Sequence, residues 1–348
     1  MRKISAAVSL FALLSATPAL AQDAEKPEHP SPNAIVDAAP ASDWVTIAPS
    51  DLLVMDLAAD SEGNARRVVI QLMPEPFSQG WIRNIRKLAA AHWWDGTSIN
   101  RVQDNYVVQW GDAGYDNPES GETEQKALPE GLETVPESEY EVKSKGRADF
   151  YVTSDFPSAV AAFKYSQLED EQYQQAYDQL PQGLKRADAY DVVTGFNAGW
   201  PVSGKDETIW PVHCYGAVGV GRNLSPDTGS GAELYTVIGH APRHLDRNIA
   251  VVGRIIEGIE HLSSLPRGKG QLGFYEDASK RVPITSIRLG DALAEEAPPA
   301  FEYLDTAGEV FAKYADARAN RRDPFFIKPA GGADICNIPV PVRRVTGE

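Results

Sequence analysis

Short apolar runs separated by turn residues, with few helices between them, constrain this chain more than any other feature. Asp51–Leu57 and Arg67–Met73 are two such runs, joined through the turn-forming Ser61-Glu-Gly-Asn64. Past Pro74-Glu-Pro76 the period changes. Trp81, Ile82, Ile85, Leu88 and Ala89 recur at helical spacing over Phe77–Ala91, with Ser78 placed to cap the start. Strand-like runs return at Ile99–Val102 and Tyr106–Val108, then at His213–Val220, Glu233–Ile238, Ile249–Val252 and Ile284–Leu289. A parallel sheet needs a long crossover, usually a helix, between successive strands. Here helical spacing recurs only over Phe156–Leu180 and briefly at Glu257–Leu262. The pattern predicts a mainly β, antiparallel barrel or sandwich.

The flanks differ from this body. Arg2 and Lys3, the apolar Ala6–Leu14 and the small residues ending at Ala21 form a secretory leader over residues 1–21, with cleavage expected after Ala21. The apolar run is too short to span a bilayer, and no later segment is long enough. The expectation is an exported protein of the bacterial periplasm with no membrane span after cleavage. Residues 22–43, rich in Pro, Ala and charge, read as a flexible lead-in, with order expected from about Trp44. Leu184–Pro211 reads as loop, and Gly253 as the end of the Ile249–Val252 strand. After residue 290 an extension over 291–348 contains a linker, an amphipathic helix from Phe301 to about Asn320, and a Pro-rich tail.

The formal net charge is −16, and loss of Arg2 and Lys3 makes it more negative. Nucleic-acid binding needs a clustered basic face, so that class of partner is excluded. Residues 112–141 carry ten Asp or Glu against Lys126 alone. Hard cations favour clustered carboxylates, but the D-x-D-x-D-G order of a calcium loop is absent, and a solvated acidic loop is the better reading. The two cysteines, Cys214 and Cys336, allow a disulfide tying the tail to the body in an oxidising compartment, or two separate buried thiols. Neither has metal-ligand partners at suitable spacing. Gly219-Val-Gly221 lacks the third glycine of a dinucleotide fingerprint, Ser230 lacks the G-x-S-x-G frame, and no H-E-x-x-H occurs among the six histidines.

One stretch remains, Trp93–Asp112, where Arg101 is the one basic residue in a largely apolar, aromatic and amide-bearing run. Turns at Asp95-Gly96 and Asp104-Asn105 make it two short strands presenting Arg101, Tyr106 and Gln109 together. Trp94-Asp-Gly-Thr-Ser-Ile-Asn-Arg-Val102 followed by Tyr106-Val-Val-Gln-Trp-Gly-Asp112 resembles the Y-D-G-x-x-F-H-R-V and F-x-x-Q-G-G-D blocks of cyclophilin-type peptidyl-prolyl cis-trans isomerases. Gly219–Arg222, Gly231–Thr236 and Leu245–Gly253 resemble later blocks of that family, in the family's order. The resemblance spans about residues 50–290, interrupted by an insertion over 113–212. It implies a closed eight-stranded antiparallel barrel capped by helices, within a domain over 44–290 that carries the mixed insertion, followed by the helical extension.

The resemblance also implies an activity. Arg101 and Gln109 fall on the catalytic pair, Tyr106, Tyr235 and Leu245 on the walls of a proline pocket, and Glu233 on the substrate groove. No cofactor or metal is implied, and the partners are proline-containing polypeptides, here other exported proteins being folded. Several residues depart from the family pattern. Ile99-Asn100 replaces Phe-His, Trp110 replaces a glycine, and Glu233 replaces a glutamine. Ile249 stands at a pocket histidine, and His244 at a tryptophan that helps bind cyclosporin. These changes leave a second reading open: a non-catalytic module that binds a protein or peptide through its acidic insertion.

Overall fold

The computed structural model describes residues 29–115, 117–143, 190, 193–205, 208–294, 298–330 and 332–345. The leader and the helix expected over Phe156–Leu180 lie outside them. In chain order the strands are Trp44–Ile47 (β1), Leu52–Leu57 (β2), Arg66–Leu72 (β3), Ser98–Val102 (β4), Val107–Gly111 (β5), Val142–Lys143 (β6), Val193–Asn197 (β7), Trp200–Lys205 (β8), Thr208–Pro211 (β9), Ala217–Val220 (β10), Leu234–Val237 (β11), Val251–Glu257 (β12), Val282–Leu289 (β13), Phe301–Leu304 (β14) and Val342–Arg344 (β15). Helices occupy Pro32–Asp37 (α1), Gln79–Ala90 (α2), Glu260–Ser263 (α3) and Glu309–Ala319 (α4).

Eight strands close into a barrel in the order β10-β11-β5-β4-β13-β2-β3-β12, every pairing antiparallel. Strands β2 and β3 read as continuous apolar runs because both of their faces are covered. Leu53, Met55, Val68 and Ile70 enter the barrel core. Leu52, Val54 and Val69 pack outward on Ile47 and Phe301. Those two belong to a separate three-stranded sheet, β1-β14-β15, laid against the wall. Helix α2 turns Trp81, Ile85 and Leu88 into the barrel core, as its spacing predicts.

Ser78 does not cap α2. Its backbone is left-handed at φ 57°, and its hydroxyl donates to Val251 O at 2.7 Å. The helix start is served instead by Glu139, whose Oε2 accepts from Gly80 N at 3.1 Å. Glu139 belongs to the acidic 112–141 loop, which is bound to the barrel rather than simply solvated. Glu133 pairs with Arg83, Glu122 with Arg281, and Tyr140 stacks on Trp81 at 5.3 Å. Among the described residues no group of three or more His, Cys, Asp or Glu is arranged to hold a metal.

The chain outside the barrel departs most from expectation. The stretch expected as loop down to Pro211 contains the β7-β8-β9 meander, with β6 added at its edge. Asn197 faces Trp200 across a two-residue turn, Ala198-Gly199, with φ of 43° and 83°. Positive φ at both positions is the tight hairpin geometry, and the prolines and glycines of these strands hide the strand pattern. The expected Phe301–Asn320 helix is β14, a turn at Asp305–Gly308, and α4. Asp305 Oδ1 accepts from Ala307 N at 2.9 Å and shapes that break. Strand β12 runs through Gly253, which pairs with Leu72, instead of stopping there. The lead-in is ordered upstream of Trp44: Ser31 caps α1 by accepting from Ala34 N at 3.2 Å, and α1 lies on α4.

Trp44, Phe196, Trp210, Leu304, Phe311, Tyr314 and Ile338 form a second core. It joins the N-terminal segment, the meander and the C-terminal extension into one side module. Cys214 and Cys336 are bridged, closing a 122-residue separation between barrel and tail. Closing a loop of that order stabilises by about 2–4 kcal/mol. The Cys214→Ser/Cys336→Ser variant should therefore melt several degrees below wild type, and thiol labelling of the unreduced, denatured wild type should find none. Two labelled thiols with an unchanged melting temperature would contradict the bridge.

Candidate active site

Strand register assembles the site. Arg101 on β4 pairs with Gln109 on β5, Gln109 pairs with Tyr235 on β11, and Tyr235 pairs with Gly219 on β10. Directly opposed residues share a face, so one row crosses four neighbouring strands. A bulge between Ile99 and Arg101 sets the phase. The row needs its glycine: a Cβ on Gly219 would lie 2.4 Å from the Tyr235 ring. A pocket of about 240 Å³ opens along the row, lined also by Tyr106, Leu245, Ile249 and Phe274.

The Arg101 guanidinium is held on three sides. Nε donates to Leu272 O at 2.7 Å, Nη1 to Gln109 Oε1 at 3.2 Å, and Nη2 to Gln103 Oε1. Its plane lies against the rings of Tyr106 at 5.8 Å and Phe274 at 5.6 Å. Burial lowers its pKa from the ordinary arginine value, opposed by the neighbouring Tyr106 and Glu119. All three hydrogen bonds go to neutral acceptors, so the cation is oriented without being neutralised. Five N–H donors exist and the three bonds use three, leaving two for a ligand.

Gln109 is 6% exposed, and its amide is engaged at both ends. Its oxygen accepts from Arg101, and its nitrogen donates to Asn117 Oδ1 at 2.9 Å. Asn117 Nδ2 in turn donates to Glu233 Oε2 at 3.2 Å. Glu233 is 4% exposed and sits over Gly111, where a Cβ would come within 2.0 Å of Oε1. Oε1 itself has no hydrogen-bond partner. Burial pushes this carboxyl well above the ordinary range, against the pull of Asn117, Gln109 and the Asp112 backbone.

Behind the pocket runs a buried polar chain. The Tyr235 hydroxyl is 2.9 Å from His213 Nε2, and His213 Nδ1 is 2.9 Å from Asp246 Oδ1. Arg243 Nε donates to Asp246 Oδ2 at 2.6 Å, and Arg243 Nη2 donates to Ser203 Oγ at 2.8 Å. A carboxylate only accepts, so Nδ1 carries a proton and donates it to Asp246. Burial also raises the Tyr235 phenol well above its ordinary value. Its ring is thus fixed as a neutral, apolar wall. Loss of such a bond inside a core costs about 1–3 kcal/mol.

Arg101, Gln109, Tyr106, Tyr235, Leu245 and Glu233 all line this one pocket. Gln103, Asn117, Phe274, His213 and Asp246 escaped the sequence reading. Gln103 had a signal, since two residues from Arg101 on a strand puts it on the same face. The others come from distant segments with no spacing to betray them. Phe274 reaches the site because residues 268–275 pair with the edge of β4 beside β13 (Gly268 N to Val102 O 2.9 Å, Tyr275 N to Asn100 O 3.0 Å).

A closed antiparallel barrel with an arginine held over an apolar pocket on its wall defines a class of protein, and sequence comparison agrees. Residues 55–289 match the family model described as cyclophilin type peptidyl-prolyl cis-trans isomerase/CLD. The chain belongs to the cyclophilin-type peptidyl-prolyl cis-trans isomerase family. Its fold is similar to that of cyclophilin AquaCyp293 from Hirschia baltica, at 20% identity and a TM-score of 0.58, over 88% of this chain and 94% of the other. A cyclophilin-type isomerase from Cryptosporidium parvum, solved in the presence of the dipeptide Ala-Pro, aligns over 68% of this chain and 98% of its own at 11% identity and a TM-score of 0.33. Among curated proteins none matches.

The raised Glu233 carboxyl has a measurable sign. Between the ordinary value of 4.5 and its raised value, the folded state holds a proton that the unfolded state releases. Stability falls as pH rises through that window. Glu233→Gln lacks this penalty, so its stability advantage over wild type in urea denaturation should widen from pH 4 to pH 8. A constant gap would show that Glu233 carries no such shift.

Proposed function

We propose that this chain is an exported prolyl isomerase that assists the folding of other exported proteins, with Arg101 as the catalytic group. Rotation about an X-Pro bond faces a barrier of about 18–20 kcal/mol, set by the partial double bond of the amide. As the bond twists, conjugation is lost and the prolyl nitrogen gains a lone pair able to accept a hydrogen bond. Donors already aimed at that atom stabilise the twisted state more than the planar one. Arg101 meets the requirement with two unused N–H groups on a guanidinium fixed by Gln109, Gln103 and Leu272 O. Tyr106, Tyr235, Leu245, Ile249 and Phe274 offer the proline ring an apolar seat and exclude water. Gln109 and Asn117 are positioning residues in this reading, and Glu233 borders the groove beside them.

The observation that carries the proposal is a half-buried, un-neutralised guanidinium with free donors over that apolar pocket. Arg101→Ala should slow cis–trans exchange of a proline peptide by at least about 100-fold. Arg101→Lys should recover part of the loss, because it keeps charge without the planar donors. Wild-type exchange at the uncatalysed rate, with the peptide still bound, would favour the binding-module reading.

Export rests on the leader-like residues 1–21 and on the disulfide, which persists in an oxidising compartment. Expressed in a bacterium with its leader, the protein should be recovered from the periplasm beginning at Gln22. Recovery from the cytosol with Met1 retained would refute export.

A further inference from the structure

The second large cavity, about 420 Å³, lies between the β12 wall and the disulfide-held tail and shares no lining residue with the Arg101 pocket. Its size is in the range of small-molecule sites. Trp200, Val212, Ile255, Ile338 and Val340 give it a largely apolar lining, and Arg254 is set among them.

Arg254 is an unusual residue to find there. Nε donates to Gln71 Oε1 at 2.9 Å and Nη1 to Gly199 O at 2.7 Å, both neutral acceptors. Its guanidinium stacks on the Trp200 ring at 4.6 Å. Nη2 is shut off from solvent and has no hydrogen-bond partner, and the same holds for Trp200 Nε1. No carboxylate among the described residues pairs with Arg254, and burial pushes its pKa down to about 10. An enclosed cation without a counter-charge is costly unless an anion joins it. Arg254 and Trp200 both line this apolar cavity, and each keeps an unmet donor just behind its surface, which specifies that anion's form: an acceptor head on an apolar body. Arg318, also on the lining, adds a second positive charge.

We infer that this cavity is a binding site for a small amphipathic carboxylate, whose head group pairs with Arg254 and whose alkyl body fills the space between β12 and the tail. The site is independent of prolyl exchange. The tail residues Ile338 and Val340 close it, and Cys336 bridges that tail to Cys214 on the barrel.

Calorimetric titration of the oxidised, full-length protein with decanoate and with decanol, its uncharged counterpart, tests the inference. Decanoate should bind saturably at one per chain, at least about tenfold tighter than decanol, because a charge-assisted hydrogen bond separates the two. Arg254→Gln should abolish that difference. Val340→Trp, which fills the cavity from the tail side, should remove decanoate binding and leave prolyl exchange at the wild-type rate. The inference is overturned if wild type does not saturate with decanoate, or binds decanoate and decanol equally, a comparison that needs no variant. It is also overturned if folded Val340→Trp binds decanoate as wild type does, which would place the ligand elsewhere.

Discussion

The row Arg101–Gln109–Tyr235–Gly219 rests on antiparallel register, and most of the site follows from it. Successive residues on a strand face opposite ways, so slipping β5 by one position would turn Gln109 inward and leave Arg101 without its orienting partner. Such a slip would also expose the core residues Val108 and Trp110. The register that fills the barrel is therefore the register that builds the pocket. The bulge beside Arg101 lets a strand whose Ile99 and Val102 fill the core present a cation on its outer face at the required phase.

The pocket wall depends on polar groups satisfied far from the surface. Tyr235 keeps its place because His213, Asp246 and Arg243 pass its hydrogen bond back to Ser203 of the meander. The side module is thus joined to the Arg101 pocket through hydrogen bonds as well as through Cys214–Cys336. The glutamate at position 233 fits the same logic. Burial favours its neutral form against the pull of the donors Asn117 and Gln109, and a neutral carboxyl resembles the amide it replaces in the family pattern.

How much of this was legible in the sequence follows from the range of the interactions. The hairpin β2–β3, the stripe of α2 and the pairing of β4 with β5 are set by neighbours in the chain, and periodicity revealed them. Arg101, Gln109 and Tyr106 were legible because they lie within nine residues of one another. The His213–Asp246 pair was not, since 33 residues separate its members and neither sits at ligand spacing. Strands β7 to β9 were concealed by Gly195, Pro201, Gly204 and Pro211, which break apolar alternation while tertiary packing on Phe311 and Leu304 supplies what local propensity lacks. The ends of β12 and of the Phe301 segment failed for the opposite reason. A glycine inside a paired strand, and a short strand running into a helix, look locally like a stop and a continuous helix.

The bridge between Cys214 and Cys336 also makes the molecule a covalent ring with a free arm. Strands β10, β11, β12 and β13 lie within the ring, whereas β2, β3, β4 and β5 lie on the arm that precedes it. Around the barrel the two sets alternate, with β13 inserted between β4 and β2. A single peptide-bond cut anywhere between residues 215 and 335 would therefore release no fragment. Both pieces stay tethered, and each still contributes strands to the same closed wall. A nicked copy would stay one covalent molecule until a reductant opened the bridge.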